Sequence, residues 1–194
     1  LTDDQGSAGI RLQADGRLDV AGDLQASGLI ELRHSGDGSA TPDSLRVSGG
    51  ATLVTTAADS IIRLASTGAI TVQPKVDAGD AAAIRSAGAL EFELSRSEQL
   101  ALGNDQVSSG SGITFRSAGD LVVDTRLDAG VLSGAGILSL ATAGTLTVTQ
   151  DGYLLADEAI RLEGASIDFA GVMEVRDADS AVLSHLRATA GDLT

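Results

Sequence analysis

Six stretches of the chain obey one nine-residue pattern: apolar, any, Ala/Ser/Thr, any, Gly, any, apolar, any, apolar. They are LQADGRLDV (12–20), LQASGLIEL (24–32), LASTGAITV (64–72), IRSAGALEF (84–92), FRSAGDLVV (115–123) and LATAGTLTV (140–148). A unit this short cannot bury an apolar face alone and needs copies of itself stacked against it, so the repetition constrains the fold before any other property does. The last three positions alternate, as in Leu18-Asp19-Val20 and Ile70-Thr71-Val72, which marks a strand with one buried face. The fifth position is Gly16, Gly28, Gly68, Gly88, Gly119 or Gly144. A glycine fixed there points to a tight corner, where positive φ or close backbone approach excludes a side chain. Each unit reads as strand, glycine corner, strand.

Weaker copies fill the gaps. Leu45-Arg46-Val47 leads through Ser48-Gly49-Gly50 to Leu53, and Ile160-Arg161-Leu162 leads past Gly164 to Ile167-Asp168-Phe169 and Met173-Glu174-Val175. The motif starts at 12, 24, 64, 84, 115 and 140, giving steps of 12, 40, 20, 31 and 25. A coil of about 20 residues accounts for the 20 and the 40, while the 25 and 31 require inserted loops. The step of 12 is too short for a coil and places the motif on more than one face. Gly, Ser, Asp and Pro collect near 33–44, 73–83 and 95–112, which read as loops. Residues 156–162 (ADEAIRL) alternate at Ile160 and Leu162 and read as strand rather than helix. Long helical patterns, which would signal a βαβ sheet, do not occur, nor does the Leu-x-x-Leu-x-Leu and Asn ladder of leucine-rich repeats. With 2% aromatic residues and no Trp, the interior must be filled by Leu, Ile, Val and Ala, which suits a narrow solenoid.

Other function classes find little support. With 27 Asp+Glu against 13 Lys+Arg, the net charge of −14 repels nucleic-acid phosphate and anionic headgroups. There is no Cys, and no apolar run approaches the ~18 residues of a spanning helix. The N-terminal LTDDQGSAG has neither the basic nor the apolar part of a signal peptide and no initiator Met, so it reads as a mature product or an excised piece. The two histidines, His34 and His185, lie too far apart in sequence for a zinc-protease motif. His34 opens a polar loop and is expected in solvent; His185 reads as an outward strand residue. Residues 134–136 (GAG) lack a dinucleotide fingerprint's third glycine and helix, and 109–112 is turn glycine text. The carboxylate pairs Glu91/Glu93, Asp177/Asp179 and Asp37/Asp43 stand without the basic residues and aromatic platforms of sugar-handling grooves. The Gly-Gly-x-Gly-x-Asp calcium repeat is absent, and 36–38 and 103–106 read as Asx turns. The reading is therefore non-enzymatic, with no catalytic residue, metal or cofactor. Contacts are expected from the loops, with His34, Asp37, Asp43, Lys75, Asp77, Asn104 and Asp105 as candidates.

Residues 113–148 (ITFRSAGDLVVDTRLDAGVLSGAGILSLATAGTLTV), together with Ala-Gly-Asp-Leu at 21–24, 118–121 and 190–193, resemble the repeats of filamentous haemagglutinin and related two-partner-secreted exoproteins, contact-dependent inhibition exoproteins among them. The resemblance implies a right-handed β-helix exported from a Gram-negative bacterium and serving as the shaft of a large adhesin. The fold expected is all-β: a right-handed parallel β-helix of about nine coils of roughly 20 residues, one segment over 1–194, interior to a larger repeat protein. Its function would be structural or adhesive, presenting loops or distal modules at the cell surface or in the medium. Its partners would be further β-helix repeats at both ends and a cell-surface receptor or glycan, with no nucleic acid and no membrane insertion. Two alternatives are a β-helical module that binds or degrades polysaccharide and a self-stacking filament or surface-layer component.

Overall fold

The structure, a computed structural model, describes residues 9–36, 45–72, 84–94, 100–102, 107–130, 136–176 and 185–188. The chain winds through three short strands per turn. The first coil holds β1 (Ile10–Ala14), β2 (Leu18–Val20) and β3 (Leu24–Ala26). The second holds β4 (Leu29–His34), β5 (Leu45–Val47) and β6 (Leu53–Thr55), and the third β7 (Ile61–Ser66), β8 (Ile70–Val72) and β9 (Ile84–Ser86). The fourth holds β10 (Ala89–Leu94), β11 (Leu100–Leu102) and β12 (Val107–Ser109), and the fifth β13 (Gly112–Ser117), β14 (Leu121–Val123) and β15 (Arg126–Ala129). Next come β16 (Ile137–Thr142), β17 (Thr145–Val148) and β18 (Tyr153–Ala156), then β19 (Ala159–Gly164), β20 (Ser166–Phe169) and β21 (Val172–Val175). β22 (His185–Ala188) opens an eighth coil.

Each strand pairs in parallel with its counterpart one coil away, which yields three sheets of eight, seven and seven strands. This is a parallel β-helix. The first face is built from β1, β4, β7, β10, β13, β16, β19 and β22. Its register partners Ile10, Ile30, Ile62, Leu90, Ile113, Leu138 and Ile160 show coils running from 20 residues (10 to 30) to 32 residues (30 to 62). The described residues thus form seven turns and the start of an eighth. Except for the first, these coils are longer than a 20-residue spacing suggests, because the insertions lengthen them without disturbing the register.

That register explains the irregular motif spacing. Leu12 stacks on Leu32, Leu32 on Leu64, Leu64 on Phe92, Phe92 on Phe115, and Phe115 on Leu140. The motifs starting at 12, 64, 115 and 140 therefore all sit at the corner from the first face to the second. Those starting at 24 and 84 sit at the corner from the third face to the first, where Leu24 stacks on Leu53 and Leu53 on Ile84. The repeat is a corner, used at two places in the coil.

Alternation turns every second residue inward, and parallel register puts like upon like. Ile62, Leu64, Leu90, Ile113, Leu138, Leu140 and Ile160 are fully buried, as are Leu45, Ile70, Leu121 and Leu146 on the second face and Leu53, Ile84, Leu127 and Leu154 on the third. Phe92 and Phe115 stack with centroids 4.3 Å apart and planes 5° apart, the ring version of the same ladder. The small third residue of the motif has its own task. Ser66, Ser117 and Thr142 end first-face strands inside the corner, and each hydroxyl accepts the N–H of the corner glycine two residues on, at 3.0, 3.2 and 3.2 Å. Thr55, Ser86 and Ser109 form an equivalent buried column at the other corner, with Ser109 Oγ donating to the carbonyls of Gly88 and Gly112. Buried backbone groups that the turn would leave unsatisfied are capped from within.

None of the six corner glycines has positive φ, and close approach accounts for Gly88 and Gly144. A Cβ on Gly88 would lie 2.1 Å from the Ser60 carbonyl oxygen of the preceding coil, and one on Gly144 2.3 Å from Asp120 Oδ1. At Gly16 nothing lies within 4 Å.

The polar stretch 95–112 is not wholly loop. Leu100 to Leu102 take the register of Ile70 to Val72, and Val107 to Ser109 that of Ile84 to Ser86. Pairing with neighbours sets these strands where their own composition does not announce them. Likewise β4 runs through Arg33 and His34 before its loop begins, and residues 156–162 supply the end of β18 and the start of β19.

Candidate functional site

Of the residues expected to make contacts, Asp37, Asp43, Lys75, Asp77, Asn104 and Asp105 lie outside the described residues. His34 is described, and it is not in solvent. It continues the inward series Ile30, Leu32, His34 along β4 and is 3% exposed. Its Nδ1 lies 3.3 Å from Ser66 Oγ and 3.4 Å from Thr67 Oγ1, so it belongs to the corner's hydroxyl column rather than to a contact loop. His185 pairs in register with Arg161, an exposed position of the first face.

The first face carries depressions on its outer side. Its strands are the longest, and two of its outward rows carry charges along the rod. One row reads Arg11, Glu31, Arg63, Glu91, Thr114, Ser139, Arg161 from coil to coil. Within it Arg11 pairs with Glu31 at 3.1 Å and Arg63 with Glu91 at 2.5 Å. The hydrogen bond to Glu91 and its charge hold the Arg63 pKa above the ordinary value. The other row has alanines between the charges. A depression of about 500 Å³ lies around Ala141, between Arg116 and Glu163, and a smaller one of about 100 Å³ around Ala65, between Arg33 and Glu93.

The third face holds the densest ionic cluster, one the sequence reading missed. Arg176, just past β21, donates through Nη1 to Asp157 at 2.7 Å and through Nη2 to Asp128. Arg126 approaches Asp128 from its other side at 3.4 Å and lies over the Tyr153 ring, 5.0 Å from its centroid. Tyr153 in turn donates its hydroxyl to Glu174. Burial disfavours the Arg176 charge, but the hydrogen bonds and charges of Asp157 and Asp128 outweigh it and raise its pKa. The hydrogen bond to Glu174 raises that of the Tyr153 phenol. Three successive coils are thereby fastened at one point. The signal was out of reach because Asp128 and Arg176 stand 48 positions apart.

Between coils, Asp residues accept from Ser or Thr one turn later. Asp23 takes the Thr52 N–H at 3.0 Å and its hydroxyl at 2.7 Å, and Asp120 takes the Thr145 N–H at 2.8 Å. Asp19 and Asp124 accept the hydroxyls of Ser48 and Thr149. Asp23 and Asp120 are the acidic residues of the Ala-Gly-Asp-Leu copies at 21–24 and 118–121, so in these two copies the tetrapeptide is a clasp between coils. The Ser48 hydrogen bond, with the charges of Arg17 and Arg46, holds the Asp19 carboxyl below its ordinary 3.8 against an opposing desolvation contribution.

The chemistry of these groups is that of fastening. Glu91 and Glu93 both face outward on β10, about 6.7 Å apart along the strand, a spacing glycosidase carboxylates use. Arg63 occupies Glu91, however, through Nε at 2.8 Å and Nη2 at 2.5 Å, so the two are not a free acid and base. Among the described residues no group of three or more His, Asp or Glu could hold a metal ion. Compared with known protein families, curated proteins and solved structures, the chain matches none.

Proposed function

We propose that this β-helix is a length of shaft in a large secreted bacterial exoprotein of the filamentous-haemagglutinin kind. It would carry inserted loops or distal modules away from a Gram-negative cell surface toward a receptor or glycan, without catalysing a reaction itself. The observation that carries this reading is the state of the end coils. Leu12 and Leu18 in the first coil, and Phe169, Met173 and Val175 in the seventh, pack against the core yet are only partly buried. Their counterparts in the middle, such as Leu64 and Ile70, are fully buried. In the outermost complete coils among the described residues the apolar columns thus keep area still to bury, and further coils in the same register would bury it at roughly 25 cal/mol per Å². The inter-coil clasps support the reading as well, because they hold coils of unequal length in one register.

The test is to image the natural product, purified from the cell surface or medium, by negative-stain electron microscopy with an antibody against this segment. A shaft gives rods far longer than the ~34 Å that seven inter-coil steps supply, with the antibody bound along their length. A particle no longer than these coils in any direction would overturn the proposal.

A further inference from the structure

The outward rows of the first face have an order that a shaft does not require. Along one outward register row of successive strands the chain carries Gln13, Arg33, Ala65, Glu93, Arg116, Ala141, Glu163 and Arg187. Turned end for end, this row is its own complement: every inner Arg meets a Glu, every Glu an Arg, and each Ala an Ala. The symmetry centre falls between β10 and β13. A two-fold axis along the strand direction at that point lays two rods antiparallel, face to face, with like rows opposed.

Under that operation Glu93 faces Arg116 of the second copy, and Arg116 faces its Glu93. Arg33 likewise faces Glu163, and the two depressions around Ala65 and Ala141 oppose each other. The neighbouring row follows the rule at one pair and opposes no like charges at the two inner ones. Glu31 meets Arg161, while Arg63 and Glu91 meet the uncharged Ser139 and Thr114. On the remaining outward row Ile61 meets Ile137, which are half-buried in the single chain. Four of the six groups that would pair across the axis are left over within one chain, while Glu31 and Glu163 already pair with Arg11 and Arg187. Among the described residues Arg33, Glu93, Arg116 and Arg161 form no ion pair of their own, whereas Arg11, Arg63 and Arg187 do.

Charge and area agree. The chain carries −14, yet the two charged rows hold six arginines against four glutamates, so these rows do not share the acidic excess that makes two copies repel. Eight strands of about 17 Å, spaced about 4.8 Å apart, present just under about 600 Å² of flat face per copy, hence over about 1,100 Å² for the pair. That clears the ~1,000 Å² expected of a specific interface. We propose that the first face is a homodimer interface through which two of these rods associate side by side and antiparallel.

Analytical ultracentrifugation of the purified chain at about 100 µM in low salt should give twice the 19.5 kDa chain mass, falling toward one chain as NaCl screens the pairs. Arg33→Glu sets Glu against Glu163 of the second copy twice, and Arg116→Glu does the same against Glu93. Each should raise the dissociation constant at least ~100-fold while far-UV circular dichroism stays that of the folded chain. Arg33 has Gln13 and Ala65 as its row neighbours, so its reversal leaves the single coil stack undisturbed. The double reversal Glu93→Arg/Arg116→Glu restores every opposed pair and should restore the dimer. Register is read separately, because the chain has no cysteine. With a short bis-maleimide, a mixture of Ala65→Cys and Ala141→Cys chains should cross-link, and neither should cross-link alone. A wild-type chain that stays monomeric under these conditions, a double reversal that stays monomeric, or Ala65→Cys cross-linking to itself would each overturn the proposal.

Discussion

Replacing Arg176 with Met keeps the aliphatic stem and removes only the guanidinium that joins Asp128 and Asp157. The side chains of the two aspartates are 4% and 11% exposed, so the variant strands carboxylate charge in a poorly hydrated place. Breaking a buried pair by removing one partner costs about 3–5 kcal/mol. The lower end applies, since Arg176 is itself one-third exposed and Arg126 stays beside Asp128. A loss of about 3 kcal/mol, at a urea dependence near 2 kcal/mol per M, lowers the midpoint by roughly 1.5 M. Urea titration followed by far-UV circular dichroism reads it, as a shift of the whole curve or as an earlier phase from the last coils. Adding Asp128→Asn and Asp157→Asn to Arg176→Met removes the uncompensated charge and should recover at least half of the loss. A single variant within about 0.5 kcal/mol of the parent, the scatter of an ordinary surface change, would refute the clamp. So would a triple variant no more stable than the single one.

Two motif glycines should behave oppositely. Gly88→Ala drives a methyl into the Ser60 carbonyl of the coil below and should cost about 1–3 kcal/mol. Gly16→Ala meets open space and should be neutral or stabilise by up to about 1 kcal/mol; thermal melts of the two variants decide it. Asp19 gives a pH prediction. Its folded pKa lies below the ordinary 3.8, so its contribution is present above about that pH and is lost as pH falls further, through the folded value. Asp19→Asn should flatten that part of the acid limb of a stability-versus-pH curve and leave the neutral region parallel to the parent. An unchanged acid limb would show that the Ser48 hydrogen bond does not hold the charge.

The corner was legible because it is local. Three alternating residues and a glycine lie within nine positions, and their inward and outward assignment follows from strand period alone. The step of 12 even revealed that the corner serves two places. What the sequence could not reveal is register, since coil lengths from 20 to 32 residues are set by insertions whose reach composition does not encode. Without register, Leu100 to Leu102 look like loop, and the complementarity of Glu93 with Arg116 has no meaning. His34 shows the other limit. Its neighbours Arg33 and Ser35 are polar, and only the phase of β4 reveals that the ring points inward to Ser66. The Asp of Ala-Gly-Asp-Leu was visible as a recurrence, but its use as a clasp required Thr52 and Thr145 to be placed beside it.

A shaft is a molecule whose length is counted in coils rather than in residues, and pulsed dipolar spectroscopy measures that count. On the second face Asp19, Val122, Thr147 and Asp168 occupy one outward register row in the first, fifth, sixth and seventh coils. Cysteines introduced in pairs into this cysteine-free chain, spin-labelled and diluted with unlabelled protein, should report distances from position 19 of about 19, 24 and 29 Å, rising by about 4.8 Å per coil. Distances that fail to rise in equal steps, or a separation from 19 to 168 shorter than that from 19 to 122, would contradict the stacked rod on which every other conclusion rests.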